Sequence, residues 1–136
     1  MRGVLFLCTG NSCRSQMAEG LAKVMFPEEI QVFSAGTDPQ GVNPKAIKVM
    51  QEIGIDISDQ NSEHVKVIPI DEVGTVITLC GDANENCPVF PDSINKIHWG
   101  LKDPANATGS ADEVLAEFRR VRDEIKERIS DLLQKK

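Results

Sequence analysis

The apolar run Val4-Leu5-Phe6-Leu7 leads straight into Cys8-Thr9-Gly10-Asn11-Ser12-Cys13-Arg14-Ser15, and behind that loop Met17, Ala18, Leu21, Ala22 and Met25 recur at helical spacing. A strand feeding a helix through a tight loop opens an alternation that continues along the chain. Strands are expected at Val4–Leu7, Gln31–Ala35, Val73–Leu79 and Asn95–Trp99, and helices from about Ser15 to Met25, Pro44 to Ile53 and Ala111 to Leu133. Pro44 suits a first helical turn and Gly54 a helix end. In the last helix Val114, Phe118, Val121, Ile125, Ile129 and Leu132 form one stripe, leaving Arg119, Arg120, Glu124 and Lys126 to water. Between Ile57 and Pro69 no period stands out, and a short helix or turn around Asn61–Val65 is expected. No repeat, linker or low-complexity stretch divides residues 1–136, so the expectation is one α/β domain: an open parallel four-stranded sheet with helices on both faces.

The loop itself carries chemistry. A cysteine and an arginine with five residues between them can close a loop whose N–H groups converge on one point, the arginine folding back to grip the same anion. Gly10 is expected to supply the unusual backbone conformation such a loop requires. The helix that follows offers N–H donors and a positive partial charge, which favour a bound dianion and a thiolate alike. Cys8 is thus the candidate nucleophile, with Thr9, Gly10, Asn11, Ser12, Cys13, Arg14 and Ser15 as the substrate-binding loop. Asn11 and Ser15 are expected to brace the loop and hydrogen-bond Cys8, and Cys13 to pack.

Composition excludes several classes. With 26% charged and 40% hydrophobic residues the chain is globular in balance, and a net charge of -6 argues against a nucleic-acid partner. Local donors around Cys8 to Arg14 must then outweigh the global field, which screening over about 10 Å permits. No apolar run is long enough to span a bilayer, and the first strand begins too early for a signal peptide. The four cysteines show no zinc-knuckle spacing, so reduced, reactive thiols in a cytoplasm are expected. His64 and His98 also lack ligand spacing and are expected to be structural, and Trp99 to line the core or a crevice wall.

In an open α/β sheet, ligands sit beyond the carboxyl ends of the strands. Cys8 ends the first strand, Cys80 the third, and Asp103 follows the fourth, so all three are expected to face one crevice. Cys80 and Cys87 are seven positions apart. If helical, that segment rises about 10.5 Å between them, beyond the roughly 7 Å Cα limit of a disulfide. Gly81, Asp82, Asn84 and Asn86 are poor helix formers and Pro88 closes the end, so the segment can unwind to join the two thiols. Asp103-Pro104, taken alone, reads as a turn.

The string Cys8 to Gly20, with Ser34-Ala35-Gly36, Val42-Asn43-Pro44-Lys45-Ala46, Val76-Ile77-Thr78-Leu79-Cys80, Cys87-Pro88, His98-Trp99-Gly100, Asp103-Pro104-Ala105 and Arg120-Val121-Arg122-Asp123-Glu124-Ile125, resembles the low-molecular-weight protein tyrosine phosphatase superfamily. Within it the chain is similar to the thioredoxin-coupled arsenate reductases, nearly end to end and including two cysteines that a phosphatase does not need. The resemblance implies strand order 2-1-3-4 and a general-acid role for Asp103. It also implies arsenic detoxification: reduction of arsenate to arsenite by a redox relay of Cys8, Cys80 and Cys87, with thioredoxin as electron donor. It implies no organic cofactor, and it makes Asn11, Glu19, Ser34 and Glu63 candidates for a monovalent cation such as potassium. A cytoplasmic monomer, with weak phosphatase side activity, completes the expectation. Ala105 stands where phosphatases of the superfamily often carry an aromatic, which disfavours a phosphotyrosine substrate. Two other classes stay open: a phosphatase that ignores Cys80 and Cys87, and an oxyanion or redox sensor without turnover.

Overall fold

The computed structural model describes residues 3–80 and 91–134. Four parallel strands, β1 (Gly3–Cys8), β2 (Val32–Gly36), β3 (Val73–Cys80) and β4 (Asn95–Leu101), form one sheet in the order β2-β1-β3-β4. Three α-helices join them, α1 (Arg14–Met25), α2 (Pro44–Gln51) and α3 (Ala111–Gln134). The expected four-stranded parallel sheet with this strand order is therefore present, but where the sequence pattern predicts helices on both faces, α1, α2 and α3 share one face and the described residues cover the other with short 3-10 turns. Among the described residues, no helix is long and apolar enough to cross a membrane.

Every residue of β1 is buried, alternately on one face of the sheet and the other, which explains its continuous apolar run. Val4, Phe6 and Cys8 join α1, α2 and α3 in the larger core, which also holds Ile77, Leu79, Trp99 and Leu101. Leu5 and Leu7 join Ala35, Ile68, Val73, Val76 and Ile94 on the opposite face. A central strand buried on both sides has no polar position to spare. Each fully buried Leu, Ile or Phe contributes about 1.5–3 kcal/mol. The helical stripe of α3 lands as read: Phe118, Val121, Ile125 and Ile129 are buried, and Trp99 packs tilted on Phe6 with ring centroids 6.2 Å apart.

The second face is closed by short 3-10 turns, Val65–Val67 and Ile70–Glu72. Its turn comes later than the expected Asn61–Val65, because His64, extended and bridged to Gly36, caps it by accepting from Lys66 N at 3.0 Å. Asn43 caps α2 ahead of Pro44, accepting from Lys45 N at 2.8 Å. The guanidinium of Arg119, helped by Arg122, ties α3 to Glu52 beyond α2 and holds that carboxyl down at about 2.

Candidate active site

The site stands at the carboxyl ends of β1, β3 and β4, where the crevice of such a sheet is expected. Cys8 is the last residue of β1 and Arg14 the first of α1, so the loop between them faces the positive end of the helix. Cys8, Asn11, Arg14 and Ser15 are all buried.

The loop's amide directions follow from its carbonyls. Thr9 O accepts from Asp38 N at 2.9 Å, Gly10 O from Gln40 N at 3.0 Å and Ser62 Oγ at 3.2 Å, Asn11 O from Gln16 Nε2 at 3.1 Å, and Ser12 O from Asn43 N at 3.1 Å. Each trans peptide places its N–H opposite its carbonyl. Carbonyls held outward on every unit from Thr9 to Ser12 therefore aim the N–H groups of Gly10, Asn11, Ser12 and Cys13 inward. Among the described residues those four N–H groups meet no acceptor. The arrangement is a cradle for an oxyanion.

Asn11, not Gly10, carries the left-handed conformation, with φ 43°. Asparagine tolerates that region better than most residues, and here its side chain locks it in place. Oδ1 accepts from Glu63 N at 2.8 Å, so Nδ2 must face Ser15, donating to Oγ at 2.7 Å. Having accepted that hydrogen bond, the Ser15 hydroxyl can direct its own hydrogen to Cys8 Sγ, 2.9 Å away. A backbone N–H, an amide and a hydroxyl thus form a chain of donors ending on sulfur.

Gly36, at the end of β2, underlies the loop at a distance no side chain would allow. A Cβ there would lie 2.4 Å from Thr9 O, 2.8 Å from Cys8 O and 2.9 Å from Asn11 N. All three are backbone atoms, so nothing can rotate out of the way.

Arg14 is anchored across the sheet. Its Nη1 donates to Leu79 O at 3.2 Å and Leu101 O at 2.9 Å, which uses both hydrogens of that nitrogen on the ends of β3 and β4. Its Nη2 lies 3.7 Å from Asp103 Oδ2. Asp103 caps the 3-10 turn Pro104–Asn106 by accepting from Ala105 N at 3.0 Å. The turn reading and the site reading of Asp103 are thus compatible: one carboxylate oxygen holds the turn while the other faces Arg14. Cys13, buried at the start of α1, has its thiol pushed up to about 12, first by burial and then by the nearby Asp103 carboxylate. It is a neutral thiol at neutral pH.

Cys80 ends β3, next to β1 in the sheet. Leu7 pairs with Thr78, so Cys80 lies one residue further along its strand than Cys8 does. Strand spacing and rise put the two Cα atoms about 6 Å apart, inside the usual disulfide span. Cys87 lies outside the described residues.

Of the cation candidates, Glu19, Ser34 and Glu63 line one cleft with Lys23, Asp56 and Asp59, whereas Asn11 lies outside its lining, with its side chain held between Glu63 N and Ser15 Oγ. Ser34 Oγ donates to one oxygen of Glu19, and the Lys23 ammonium meets the other. This all-oxygen donor set suits a hard cation, and the ammonium shows that the cleft accepts positive charge. Among the described residues, no three His, Cys, Asp or Glu side chains converge on a metal position.

Sequence reasoning missed Gln16, Gln60, Ser62 and Gly36 as supports of the loop. Gly36 belongs to the Ser34-Ala35-Gly36 motif, but its contact across the sheet end has no local signature. Gln16 looks like an ordinary helix residue, and its partner at position 60 is 44 positions away.

Comparison with known proteins gives a consistent set. The family model for low molecular weight phosphotyrosine protein phosphatase matches residues 3–136. The chain is 49% identical over 131 residues to an arsenate reductase of Bacillus subtilis (strain 168), covering 96% of this chain and 94% of that one. A solved arsenate reductase in the phosphate binding state is 39% identical, with a TM-score of 0.82 and coverage of 99% and 98%. A Corynebacterium glutamicum thioredoxin-dependent arsenate reductase is 25% identical, with a TM-score of 0.72, over all of this chain and 64% of that one.

Proposed function

The chain belongs to the low molecular weight phosphotyrosine protein phosphatase family, and from that membership we propose that it reduces arsenate to arsenite through Cys8, Cys80 and Cys87, with a thioredoxin-type dithiol protein closing the cycle. The observation that carries the reading is the donor chain from Glu63 N–H through Asn11 and Ser15 to Cys8 Sγ, at the base of a cradle of inward N–H groups. Relatives about half identical to the chain are arsenate reductases, which supports arsenic as the reacting atom.

In the first step the Cys8 thiolate attacks arsenic, while the cradle N–H groups and Arg14 hold the remaining oxygens. Arg14, anchored through Nη1 on Leu79 O and Leu101 O, brings its guanidinium charge to the same anion. One oxygen leaves as water with a proton from Asp103. The product is a Cys8 sulfur–arsenic(V) adduct, with no change yet in oxidation state.

Cys80 thiolate then attacks Cys8 sulfur. The sulfur–arsenic bond breaks, its electron pair goes to arsenic, and arsenite departs from a Cys8–Cys80 disulfide. Cys87 attacks Cys80 in turn, which restores Cys8 and leaves Cys80–Cys87 for the external dithiol. The Cα separation estimated from the sheet register is compatible with the first disulfide, which also requires the end of β3 to turn because Cys8 shares its sheet face with Ile77 and Leu79. The poor helix formers between residues 80 and 88 support the second. A monovalent cation held by Glu19, Ser34 and Glu63 belongs to the same reading. It would supply positive charge beneath the segment that braces Asn11.

The test is arsenate-dependent NADPH oxidation in the presence of thioredoxin and thioredoxin reductase. Activity in the wild type that is lost in Cys80→Ser, with slow p-nitrophenyl phosphate hydrolysis kept in both, is the expected result. Phosphate hydrolysis with no arsenate-dependent turnover would make the protein a phosphatase instead.

A further inference from the structure

Gln16 is fully buried in the first turn of α1, and no step of the proposed reaction uses it. Its Nε2 carries two hydrogens and meets two carbonyl oxygens, Asn11 O at 3.1 Å and Asn61 O at 3.0 Å. Its Oε1 accepts from Gln60 Nε2 at 2.7 Å, and the second hydrogen of that nitrogen goes to Gln16 O at 3.0 Å. Turning the Gln16 amide over would set its oxygen against two carbonyls, so the orientation is forced. A buried amide pair satisfied in this way is a rigid link between α1 and the segment 60–61.

What the link controls is one peptide plane. Asn11 O and Ser12 N–H belong to the same planar unit and point in opposite directions. Gln16 holds the carbonyl outward and thereby aims the Ser12 N–H into the cradle. The carbonyls of Thr9, Gly10 and Ser12 are each held by a backbone N–H, from Asp38, Gln40 and Asn43. Among the described residues, only at Asn11 does a side chain hold the carbonyl alone. That plane also follows the left-handed residue, where the backbone has most reason to relax.

We propose that Gln16, clasped by Gln60, is a positioning residue that fixes the Asn11–Ser12 peptide and so sets the affinity of the loop for tetrahedral oxyanions. The proposal rests on reading residues 8–15 as an anion cradle, but not on arsenate being reduced there. The probe is inorganic phosphate, added to the reduced full-length protein. Its affinity is read from protection of Cys8 against iodoacetamide, with the Cys8 peptide quantified by mass spectrometry.

Gln16→Leu should weaken phosphate binding about tenfold and Gln60→Ala about threefold. The double variant should bind no more than twofold more weakly than Gln16→Leu, since both act through one link. Val49→Ala, in the α2 contact with the core, serves as a control for destabilisation: it should lower the urea midpoint and leave phosphate affinity unchanged. If Gln16→Leu does not fold, the half-buried Gln60→Ala decides alone. A wild type that phosphate does not protect would overturn the cradle reading and this proposal with it. Protection in the wild type that is equal in the variants, or losses that simply multiply, would overturn this proposal alone.

Discussion

Replacing Asn11 separates two costs that the structure places on one residue. Asn11→Ala removes the acceptor of Glu63 N–H and the donor to Ser15, and it leaves a β-carbon in the left-handed region. Two net hydrogen bonds are worth about 1 kcal/mol each, with more lost if the Glu63 N–H stays unsatisfied. The left-handed conformation adds about 1–2 kcal/mol for alanine. Asn11→Gly loses the same hydrogen bonds without that steric term. The expected destabilisation is therefore about 3–4 kcal/mol for Asn11→Ala and about 2 kcal/mol for Asn11→Gly. Urea unfolding under reducing conditions measures both, through midpoints at an unchanged slope. Domains hold only about 5–15 kcal/mol in reserve, so both proteins should fold and the gap between them should be readable. If the two variants agree within about 0.5 kcal/mol, Asn11 carries no conformational cost and the geometry assigned to the loop is wrong.

Further expectations concern the floor of the loop and its silent thiol. Gly36→Ala drives a β-carbon into three backbone atoms of the loop and should cost about 1–3 kcal/mol by urea unfolding, together with most of the phosphate protection of Cys8. Normal anion binding in that variant would show that the loop can shift without loss. Cys13 keeps its proton to about 12 when folded, against 9.0 as the ordinary value, so between those pH values the unfolded chain holds fewer protons than the folded one. Stability present below pH 9 should then fall as pH rises, by up to about 1.4 kcal/mol per unit from this group. Cys13→Ala should flatten that part of the profile and stay within about threefold of wild-type turnover, a range set by its having no place in the relay. An unchanged slope between pH 8.5 and 10.5 would show that Cys13 is not the buried thiol responsible.

Much of this fold is legible from period and punctuation. Val4–Leu7 reads as a strand because every residue is apolar, and the structure buries both of its faces. The stripe of α3 and the Asn43-Pro44 start of α2 follow from helical spacing and capping chemistry. The segment 57–69 has no readable period because its structure is held by contacts from elsewhere: His64 bridges to Gly36, and Gln60 to Gln16. The site divides in the same way. Cys8, Arg14 and Ser15 are legible because one short loop must bring them together. Backbone freedom points to Gly10 for the left-handed position, whereas Asn11 takes it because two hydrogen bonds made by its side chain stabilise that conformation. Arg14 bonding the ends of β3 and β4 depends on strand order, which local pattern does not encode.

The central claim is that three thiols act in sequence, and Cys87→Ser tests it most directly. The reduced variant is mixed with excess arsenate, thioredoxin and thioredoxin reductase, then quenched with acid. Arsenite is counted per chain, and disulfides are mapped by mass spectrometry. The account predicts a single equivalent of arsenite and a trapped Cys8–Cys80 bond. Sustained release of arsenite over many turnovers, or a single turnover ending in a disulfide that excludes Cys80, would contradict it.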